Sequence, residues 1–402
     1  MSNVLVLDTG TQGYITVKSL HKAEHKVFLL YRGKHNYADD SRYVDVRYET
    51  VFPAESKEYL NMVREIVLRH YIDAIIPMGD IASIFLSKHK DELLSIVRYM
   101  LPDIYVFEKG YDKNSLMALC AKNGYPHPLT VNDVKNFSGI DINKLVYPLL
   151  IKPNHTCGGR GMTLVRSSEE LRAKFDVIYQ QYGDCHLQEY IPQGGAQVEV
   201  QIYINEKKEL VASSVIYKYR WYPENGGSSC CATSVKNDEV VDMCYRLLKD
   251  IGWVGFADFD LIEDPRDGKL KVMELNPRVP ACVKAAIVSG VDWPNIILSQ
   301  YLGMPLPQIS FKPGVILKHL GMESLWFFYS KNRFTTKPAL WKIFGRKVYY
   351  QDLDWTDPIP FFWGTLYNIK KQLNPAFRKS KSGTRMNKIN IMKPAVCGGG
   401  KT

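Results

Sequence analysis

A short stretch of the chain constrains the fold most, because polar and apolar side chains alternate along it. Glu274, Asn276 and Arg278 occupy every second position of residues 271–279, with apolar residues or proline between them. Side chains two positions apart on a strand share one face. The pattern therefore predicts a strand that presents a carboxylate, an amide and a guanidinium in the same direction.

A second strand is predicted just upstream, at residues 255–263, and the Asp-Pro-Arg-Asp-Gly run at 264–268 supplies turn residues for a hairpin. A loop of three or five residues places Asp260 opposite Glu274, whereas a four-residue loop turns Asp260 to the other face. In the favoured register Asp260, Glu274 and Asn276 offer the oxygen ligands that Mg²⁺ prefers. The alternative is a solvated hairpin face with its charges directed outward.

Length and composition indicate a globular, enzyme-like chain of two or three domains. The sequence has 402 residues, of which 46% are hydrophobic and 23% are charged. Its eight cysteines form no C-x-x-C pair, which argues against a zinc ribbon or disulfide framework and favours a reducing, cytoplasmic location. The chain opens with an apolar strand rather than a signal peptide, and no apolar run reaches about 18 residues, so we expect no membrane span.

The net charge of +10 is concentrated near the C-terminus. Residues 331–402 contain 15 Lys or Arg and three Asp, whereas residues 1–330 contain 37 basic and 39 acidic side chains. No basic, aromatic-interleaved binding module recurs, so we expect no nucleic-acid partner. Aromatic residues lie among the basic ones beyond residue 310. This region is either a peripheral contact with an anionic membrane or a small helical appendage packed on the body.

Residues 1–105 alternate short apolar strands with amphipathic helices. This pattern is typical of parallel βαβ units with a ligand crevice at the carboxyl ends of the strands. Gly10 and Gly13 are too sparse for a dinucleotide fingerprint. Asp80 follows a strand, and it either caps the next helix or faces the crevice as a substrate contact. A further short strand is expected at residues 104–107.

Two lysines are candidates for phosphate binding. Lys113 lies in the first turn of a predicted helix, where the helix dipole disfavours a cation unless an anion is nearby. Lys152 ends an apolar strand that leads into a hairpin loop containing Gly158, Gly159 and Gly161. Such a loop can place its backbone N–H groups over phosphate oxygens, and the alternative is a surface hairpin tip.

Three further segments carry weaker signals. The strand at residues 185–192 stops at a proline and could offer backbone groups to an adenine edge. In residues 197–204 Glu199 alternates with apolar side chains, so we expect it to face away from the core. Lys218 and Arg220 are either contacts for a carboxylate substrate or parts of an aromatic-rich surface strand.

Together, the order of these motifs resembles the ATP-grasp superfamily of carboxylate–amine and carboxylate–thiol ligases, among them D-aspartate ligase, carbamoyl-phosphate synthase and biotin carboxylase. The similarity covers about residues 1–305. It implies an α/β fold of the α+β ATP-grasp type with a two-subdomain body. The implied parts are a parallel-sheet, Rossmann-like pre-ATP-grasp domain at 1–107, an ATP-grasp domain at 108–308 with a lid at about 127–185, and a small C-terminal extension at 309–402.

The resemblance also implies a role for each motif. The implied ATP contacts are Lys113, Lys152, Gly158, Gly159, Gly161, Glu189, the backbone of Tyr190 and Ile191, and Glu199 at the ribose. The implied ligands for one or two Mg²⁺ (or Mn²⁺) ions are Asp260, Glu274 and Asn276. Arg278 and Lys152 are the implied catalytic residues, and Arg278 would stabilise the acyl-phosphate.

The implied reaction is ATP-dependent: a carboxylate becomes an acyl-phosphate and is joined to an amine, with release of ADP and phosphate. Two alternatives are a carboxylase-type or carbamoyl-phosphate-type enzyme and a non-catalytic nucleotide-binding module. No biotinyl-carrier segment or amidotransferase domain is visible in the sequence. The expected partners are small-molecule carboxylate and amine substrates, with a homodimer and a peripheral membrane contact as open possibilities.

Overall fold

The chain folds into two compact units. The first comprises Met1–Thr130 and Ile191–Gln372, and the second contains Val131–Tyr190. The computed structural model describes residues 1–33, 35–134, 141, 145–154, 161–192, 194–222 and 228–373. The domain boundaries expected from the sequence stay predictions.

The first unit opens with a parallel four-stranded sheet in the order β3-β2-β1-β4, which confirms the parallel sheet expected there. The strands are β1 Asn3–Leu7, β2 Lys26–Tyr31, β3 Val46–Glu49 and β4 Ala74–Pro77, and the helices are α1 Gly10–Lys22, α2 Lys57–His70 and α3 Asp80–Lys88. The chain moves to one side of β1 through β2 and β3, then returns to the other side at β4. This switch point creates a crevice at the carboxyl ends of β1 and β4.

Three helices follow, and one of them corrects a sequence prediction. They are α4 Lys90–Leu93, α5 Ile104–Tyr111 and α6 Lys113–Asn123. The strand expected at 104–107 is wrong, because these residues begin α5. Phe107 and Gly110 are buried whereas Tyr105 is 79% exposed, so burial repeats every three residues as on a helix. A four-residue apolar run is too short to reveal that period.

A seven-stranded sheet forms the centre of the first unit, in the order β13-β12-β9-β10-β11-β14-β15. Its strands are β9 Gln197–Ile204, β10 Leu210–Tyr222, β11 Ser228–Val235, β12 Gly255–Glu263, β13 Leu270–Asn276, β14 Ile316–Lys318 and β15 Val348–Tyr350. The associated helices are α8 Asp238–Ile251, α9 Val283–Val288 and α10 Trp293–Leu302. Val198, Val200 and Ile202 of β9 pack with Leu247 of α8 in one buried cluster. The residues between them on β9 therefore face the other side of the sheet.

The C-terminal extension is part of this sheet, which corrects the expectation of a small helical appendage. β14 pairs antiparallel with β11, and β15 pairs parallel with β14. Two helices follow these strands, α11 Leu320–Tyr329 and α12 Ile359–Leu373. No helix in the described part of the chain has both the length and the apolar character needed to cross a membrane.

The second unit is a four-stranded sheet in the order β5-β8-β6-β7 with one helix. Its elements are β5 Thr130–Val134, β6 Leu149–Pro153, β7 Thr163–Val165, α7 Ser168–Tyr182 and β8 Cys185–Glu189. Ile151 and Leu187 pack with Phe175 of α7 in the core of this unit. The antiparallel pairing of β6 with β7 confirms the hairpin expected around the glycine-rich loop.

One close approach at the start of β12 leads to a stability prediction. Gly255 has φ +87°, and a Cβ there would lie 2.5 Å from the carbonyl oxygen of Met100, whereas Gly268 has φ +69° with nothing within 4 Å of its Cβ position. We expect Gly268→Ala to cost about 1–2 kcal/mol for its left-handed backbone, and Gly255→Ala to cost clearly more because a backbone carbonyl must also move. Urea unfolding midpoints of the two variants test this. Equal midpoints would contradict it.

Candidate active site

The hairpin of β12 and β13 places Asp260 directly opposite Glu274, as predicted, but by a different route. Next to the loop, Glu263 pairs with Leu270, and the backbone N–H of Asp264 donates to the carbonyl of Lys269 at 2.9 Å. This closes a four-residue loop, which alone would turn Asp260 away. A β-bulge between Asp260 and Leu261 in the pairing shifts the register by one residue and restores the alignment. The predicted register is confirmed, and the predicted loop length is wrong.

Two rows of polar residues cross three neighbouring strands on one face of the sheet. The outer row consists of Glu199 on β9, Asp260 on β12 and Glu274 on β13. The inner row consists of Gln201, Asp258 and Asn276 on the same three strands. Because directly opposed side chains on neighbouring strands lie about 5 Å apart, the rows concentrate carboxylate and amide oxygens in one small area.

Lys218 of β10 balances the outer row. Its Nζ forms ion pairs with Glu199 and, at 2.8 Å, with Asp260. Burial alone would lower the pKa of the Lys218 ammonium, but the two carboxylates raise it well above its ordinary value. Burial would likewise raise the pKa of the Asp260 carboxyl, but Lys218 brings it below the ordinary value. The charges on this face are therefore mutually dependent.

Asp258 belongs to this face and was missed by the sequence reasoning. Its side chain is fully buried, and Asn276 Nδ2 lies 3.4 Å from its Oδ2. Burial raises the pKa of the Asp258 carboxyl well above its ordinary value, and the neighbouring Glu199 and Asp260 add to the increase. Its Oδ1 is buried with no hydrogen-bond partner among the described residues. The alternation of Asp258 with Asp260 on one strand was the available signal.

Cys282 is a second residue that the sequence did not reveal. Its Sγ donates a hydrogen bond to Glu199 Oε2, and Gln201 Nε2 lies 3.6 Å from the sulfur. Burial raises the pKa of the Cys282 thiol well above its ordinary value, and Glu199 adds to the increase. The thiol thus serves as a hydrogen-bond donor to the outer row. No sequence pattern around Cys282 indicated this contact.

Arg278 follows β13 and connects the polar face to the N-terminal crevice. Its Nε donates to Asp80 Oδ1 at 3.0 Å, and its Nη2 lies 3.4 Å from Asn276 Oδ1. Burial alone would lower the pKa of the guanidinium, but Asp80 and Asp258 raise it. Asp80 does not cap its helix: Gly79 is the N-cap of α3 and Asp80 is the first helical residue. The crevice-facing alternative for Asp80 therefore fits its position.

The rim of the crevice also contains Asp8, which sequence reasoning passed over. Asp8 follows β1 with a left-handed φ of 85°, and its Oδ1 accepts from the Thr9 N–H at 2.7 Å. A Cβ at Gly79 would lie 2.6 Å from Asp8 Oδ2. Only glycine fits at position 79 without displacing this carboxylate. A polar residue directly after the buried strand β1 was the available signal.

Lys113 lies beside the outer row, and its predicted role in phosphate binding stays a prediction. It is the first residue of α6, and Asp112 caps that helix by accepting from the Ser115 N–H. Lys113 Nζ lies 3.4 Å from Glu274 Oε2. An anion near the helix start thus compensates for the unfavourable dipole.

The remaining ATP-binding candidates lie mostly in the second unit. Lys152 is 6% exposed, and its Nζ donates to Gln188 Oε1 at 2.8 Å. Gly161 has φ +71°, and a Cβ there would lie 2.8 Å from the Pro153 ring. Glu189 ends β8 opposite Leu149, and Tyr190 donates its N–H to the Pro148 carbonyl at 3.1 Å. Ile191 is buried in the first unit, and Gly158 and Gly159 lie outside the described residues.

The structure places Arg220 away from the polar face. Its guanidinium is 1% exposed and forms an ion pair with Glu323 of α11. It also donates to the carbonyl of Pro338 and lies 5.2 Å from the Trp326 ring. These contacts anchor the C-terminal extension, and the predicted substrate contact of Arg220 finds no support in them. Lys218, its companion in that prediction, lies instead among the candidate metal ligands.

The donor set fits a hard divalent cation. Asp260, Glu274 and Asn276 offer only oxygens, and such ions leave further positions for phosphate and water oxygens. Among the described residues no three His, Cys, Asp or Glu side chains are grouped closely enough to hold a metal by themselves. The amide of Asn276 and the oxygens of a bound phosphate would therefore have to complete the coordination.

Comparison with known proteins finds a matching family model and related sequences. Residues 129–308 match the model of the carbamoyl-phosphate synthase L chain, ATP binding domain. The chain is 22% identical over 298 residues to D-aspartate ligase of Enterococcus faecium, covering 68% of this chain and 70% of the ligase. It is 25% identical over 220 residues to the carbamoyl phosphate synthase large chain of Archaeoglobus fulgidus, covering 52% of this chain but 19% of that protein.

Solved structures show the same fold. Biotin carboxylase from Campylobacter jejuni superposes with a TM-score of 0.65 at 17% identity, covering 78% of this chain and 74% of that chain. L-amino acid ligase from Bacillus licheniformis superposes with a TM-score of 0.62 at 15% identity, covering 79% of this chain and 78% of that chain. These findings confirm the resemblance drawn from the motifs: residues 129–308 match the model of the carbamoyl-phosphate synthase L chain, ATP binding domain, and the solved structures share the ATP-grasp fold of this chain.

Proposed function

We propose that this chain is an ATP-dependent ligase that activates a carboxylate as an acyl-phosphate and joins it to an amine, with release of ADP and phosphate. The observation that carries the proposal is the polar face of the central sheet. There Asp260, Glu274 and Asn276 adjoin Arg278 and Lys113. Oxygen ligands for a cation thus lie beside two cations suited to anionic substrates.

The chemistry explains why these groups belong together. A free carboxylate is a poor acyl donor, because its leaving group would be an oxide. Transfer of the γ-phosphoryl group forms a bond from a carboxylate oxygen to phosphorus and breaks the bond from phosphorus to ADP. An amine then attacks the carbonyl carbon, phosphate leaves, and the amine loses a proton. Negative charge is redistributed over the transferred group, so fixed cations around it lower the barrier.

Arg278 is suited to the carboxylate and to the acyl-phosphate that forms from it. A guanidinium presents paired N–H donors that match two oxygens. Asp80 occupies its Nε side at 3.0 Å, so Asp80 acts as a positioning residue for Arg278. Lys113, beside Glu274, is suited to a phosphate oxygen next to the metal ligands. In this proposal Lys218 forms ion pairs with Asp260 and Glu199 rather than binding the substrate carboxylate.

Asp260, Glu274 and Asn276 would hold Mg²⁺, or Mn²⁺ with the same oxygen donors. When bound, the ion would neutralise charge on the phosphate oxygens. The biotin carboxylase domain of Hydrogenobacter thermophilus 2-oxoglutarate carboxylase, a structural neighbour, was solved with the magnesium salt of ADP, which supports this assignment. The buried, unpartnered Oδ1 of Asp258 supplies another oxygen on the same face.

For ATP itself, we propose that Lys152 contacts the phosphates and that the loop containing Gly158, Gly159 and Gly161 closes over them. Glu189 and the backbone of Tyr190 and Ile191 would hold the adenine. The proposed ribose contact of Glu199 must compete with its ion pair to Lys218 and its bond to Cys282. Of these assignments, the one for Glu199 therefore has the weakest support.

A carboxylase-type or carbamoyl-phosphate-type reaction is the second candidate, favoured by the family match and by the similarity to biotin carboxylase. It differs in using bicarbonate as the acid. ATP turnover that requires bicarbonate and no other carboxylate would select it over the amide ligase. A cytoplasmic location and a homodimer accompany the proposal as expectations. The predicted membrane contact depends on the surface of the C-terminal extension, not on this face.

The first prediction for the site concerns Glu274. In a screen of acids paired with amines, the protein should release ADP and phosphate together, and mass spectrometry should detect the amide product. Glu274→Gln should lower that release about 10²–10³-fold, because one charged oxygen ligand is lost. Glu263→Gln is the matched control on the same hairpin, since a glutamine oxygen can still accept from the Ala196 N–H. Full turnover in Glu274→Gln would refute the metal assignment.

The second prediction concerns Lys218. Without divalent cations, Lys218→Met should destabilise the protein by roughly 3–5 kcal/mol, because the buried Glu199 and the partly exposed Asp260 lose their counterion. Added Mg²⁺ should raise the melting temperature of this variant more than that of the unchanged protein. Lys174→Met removes only a surface pair with Glu170 and serves as control, with an expected cost of about 0–1 kcal/mol. Equal Mg²⁺ shifts for Lys218→Met and the unchanged protein would contradict a cation site at Asp260.

A further inference from the structure

Helix α12 packs by one face against the loop that follows β2. A Cβ at Gly364 would lie 2.6 Å from the Tyr37 ring, so helix and ring are in close contact. Asn368 Nδ2 donates to the Tyr37 hydroxyl at 3.2 Å. The ring of Trp363 stacks on His35 with centroids 4.7 Å apart. Because these contacts define the inward side, the outward side of α12 is also defined.

The outward side of α12 is apolar. Ile359 is 54% exposed, Phe362 is 63% exposed and Ile369 is 50% exposed. These positions are three and seven residues apart, so they form one stripe along the helix. Surface helices normally direct polar side chains to solvent, and a continuous exposed apolar stripe marks an interaction surface.

The charge of the sequence that carries this stripe indicates its partner. Residues 358–402 contain nine Lys or Arg and no Asp or Glu. Among the described residues, Lys370 follows Ile369 directly on α12 and is exposed. A helix with an exposed apolar stripe in a basic segment is typical of helices that lie in the interface of an anionic bilayer. A second copy of the chain would match the stripe, but it would bring the same positive charge against itself.

The loop beneath α12 reaches the substrate crevice. Asn36, next to Tyr37, donates from Nδ2 to Thr9 Oγ1 at 2.7 Å, and the Gly10 N–H donates to the Asn36 carbonyl at 2.9 Å. Thr9 and Gly10 lie just after β1, at the carboxyl edge that forms the crevice. A surface that binds the outward side of α12 is therefore separated from the crevice by the helix and one short loop.

We propose that α12 docks on an anionic membrane surface through the stripe of Ile359, Phe362 and Ile369. Docking leaves the helix, about 10 Å in diameter, and one short loop between the lipid headgroups and the edge of the crevice. The consequence for the enzyme is that one substrate, the acid or the amine, is carried by a lipid or held at the membrane. This consequence rests on the ligase function proposed above, whereas the docking itself does not.

The test is co-sedimentation of the full chain with vesicles. One set contains phosphatidylglycerol and phosphatidylcholine, and the other contains phosphatidylcholine alone. We expect binding to the first set, weakening as salt is raised, and about tenfold weaker binding to the second. The double variant Phe362→Gln, Ile369→Gln should lose at least about tenfold in affinity for the anionic vesicles. Both positions are solvent-exposed, so the variant should unfold at the temperature of the unchanged protein.

A matched control replaces two exposed apolar residues elsewhere, Leu68→Gln on α2 and Tyr105→Gln on α5, which are 56% and 79% exposed. It should bind vesicles like the unchanged chain. Absence of binding to anionic vesicles, or equal loss in both double variants, would overturn the proposal. Glu274→Gln should bind vesicles normally, so loss of the ligase reaction and loss of docking are distinguishable. Phosphate release from soluble substrates should be unchanged in Phe362→Gln, Ile369→Gln.

Discussion

The desolvated carboxylates on the central sheet are the constraint on which the active-site architecture depends. Glu199 and Asp258 are buried and Asp260 is partly exposed. All three lie on the adjacent strands β9 and β12, where their mutual repulsion would be costly. Lys218 offsets two of them, and the Cys282 thiol donates to Glu199. The carboxylates of the polar face are stabilised by donors from two other elements: Lys218 on β10, and Cys282 in the segment before α9. A change to either element therefore alters the charge balance at the candidate metal site.

The local part of this site could be predicted from sequence, because it depends on alternation within one strand. Glu274, Asn276 and Arg278 share a face by the period of a strand, and opposition to Asp260 followed from a hairpin. Glu199 could not be placed in the same way. Its neighbour on the sheet is β12, far along the chain, and strand order is a tertiary property. Glu199 was predicted on the correct face of β9, but the sequence did not indicate its partners Lys218 and Cys282.

The pairing of Asp260 with Glu274 was predicted correctly, although the loop length from which it was predicted was wrong. The loop is of the type that should have misaligned them, and the bulge offsets it. The extra residue of the bulge is Met273, between the pairs formed by Val272 and Glu274. Methionine is common in regular strands, so the sequence does not indicate a bulge there. The prediction of a strand at 104–107 failed for a related reason, since four apolar residues fit the period of a strand and that of a helix equally well. The prediction for the C-terminal extension failed because β14 and β15 have only three residues each. They form strands because β14 pairs with β11 and β15 pairs with β14.

Strand β10 contacts both the candidate site and the C-terminal extension, which gives the extension a structural role. β10 carries Lys218 at the polar face, and two residues later Arg220 forms the buried ion pair with Glu323 of α11. Removing the extension would leave the Arg220 charge without that counterion and would uncover the edge of β11. The loss would therefore act on β10 itself and so on Lys218. The C-terminal extension is therefore a structural part of the central sheet. The same extension also carries the exposed stripe on α12.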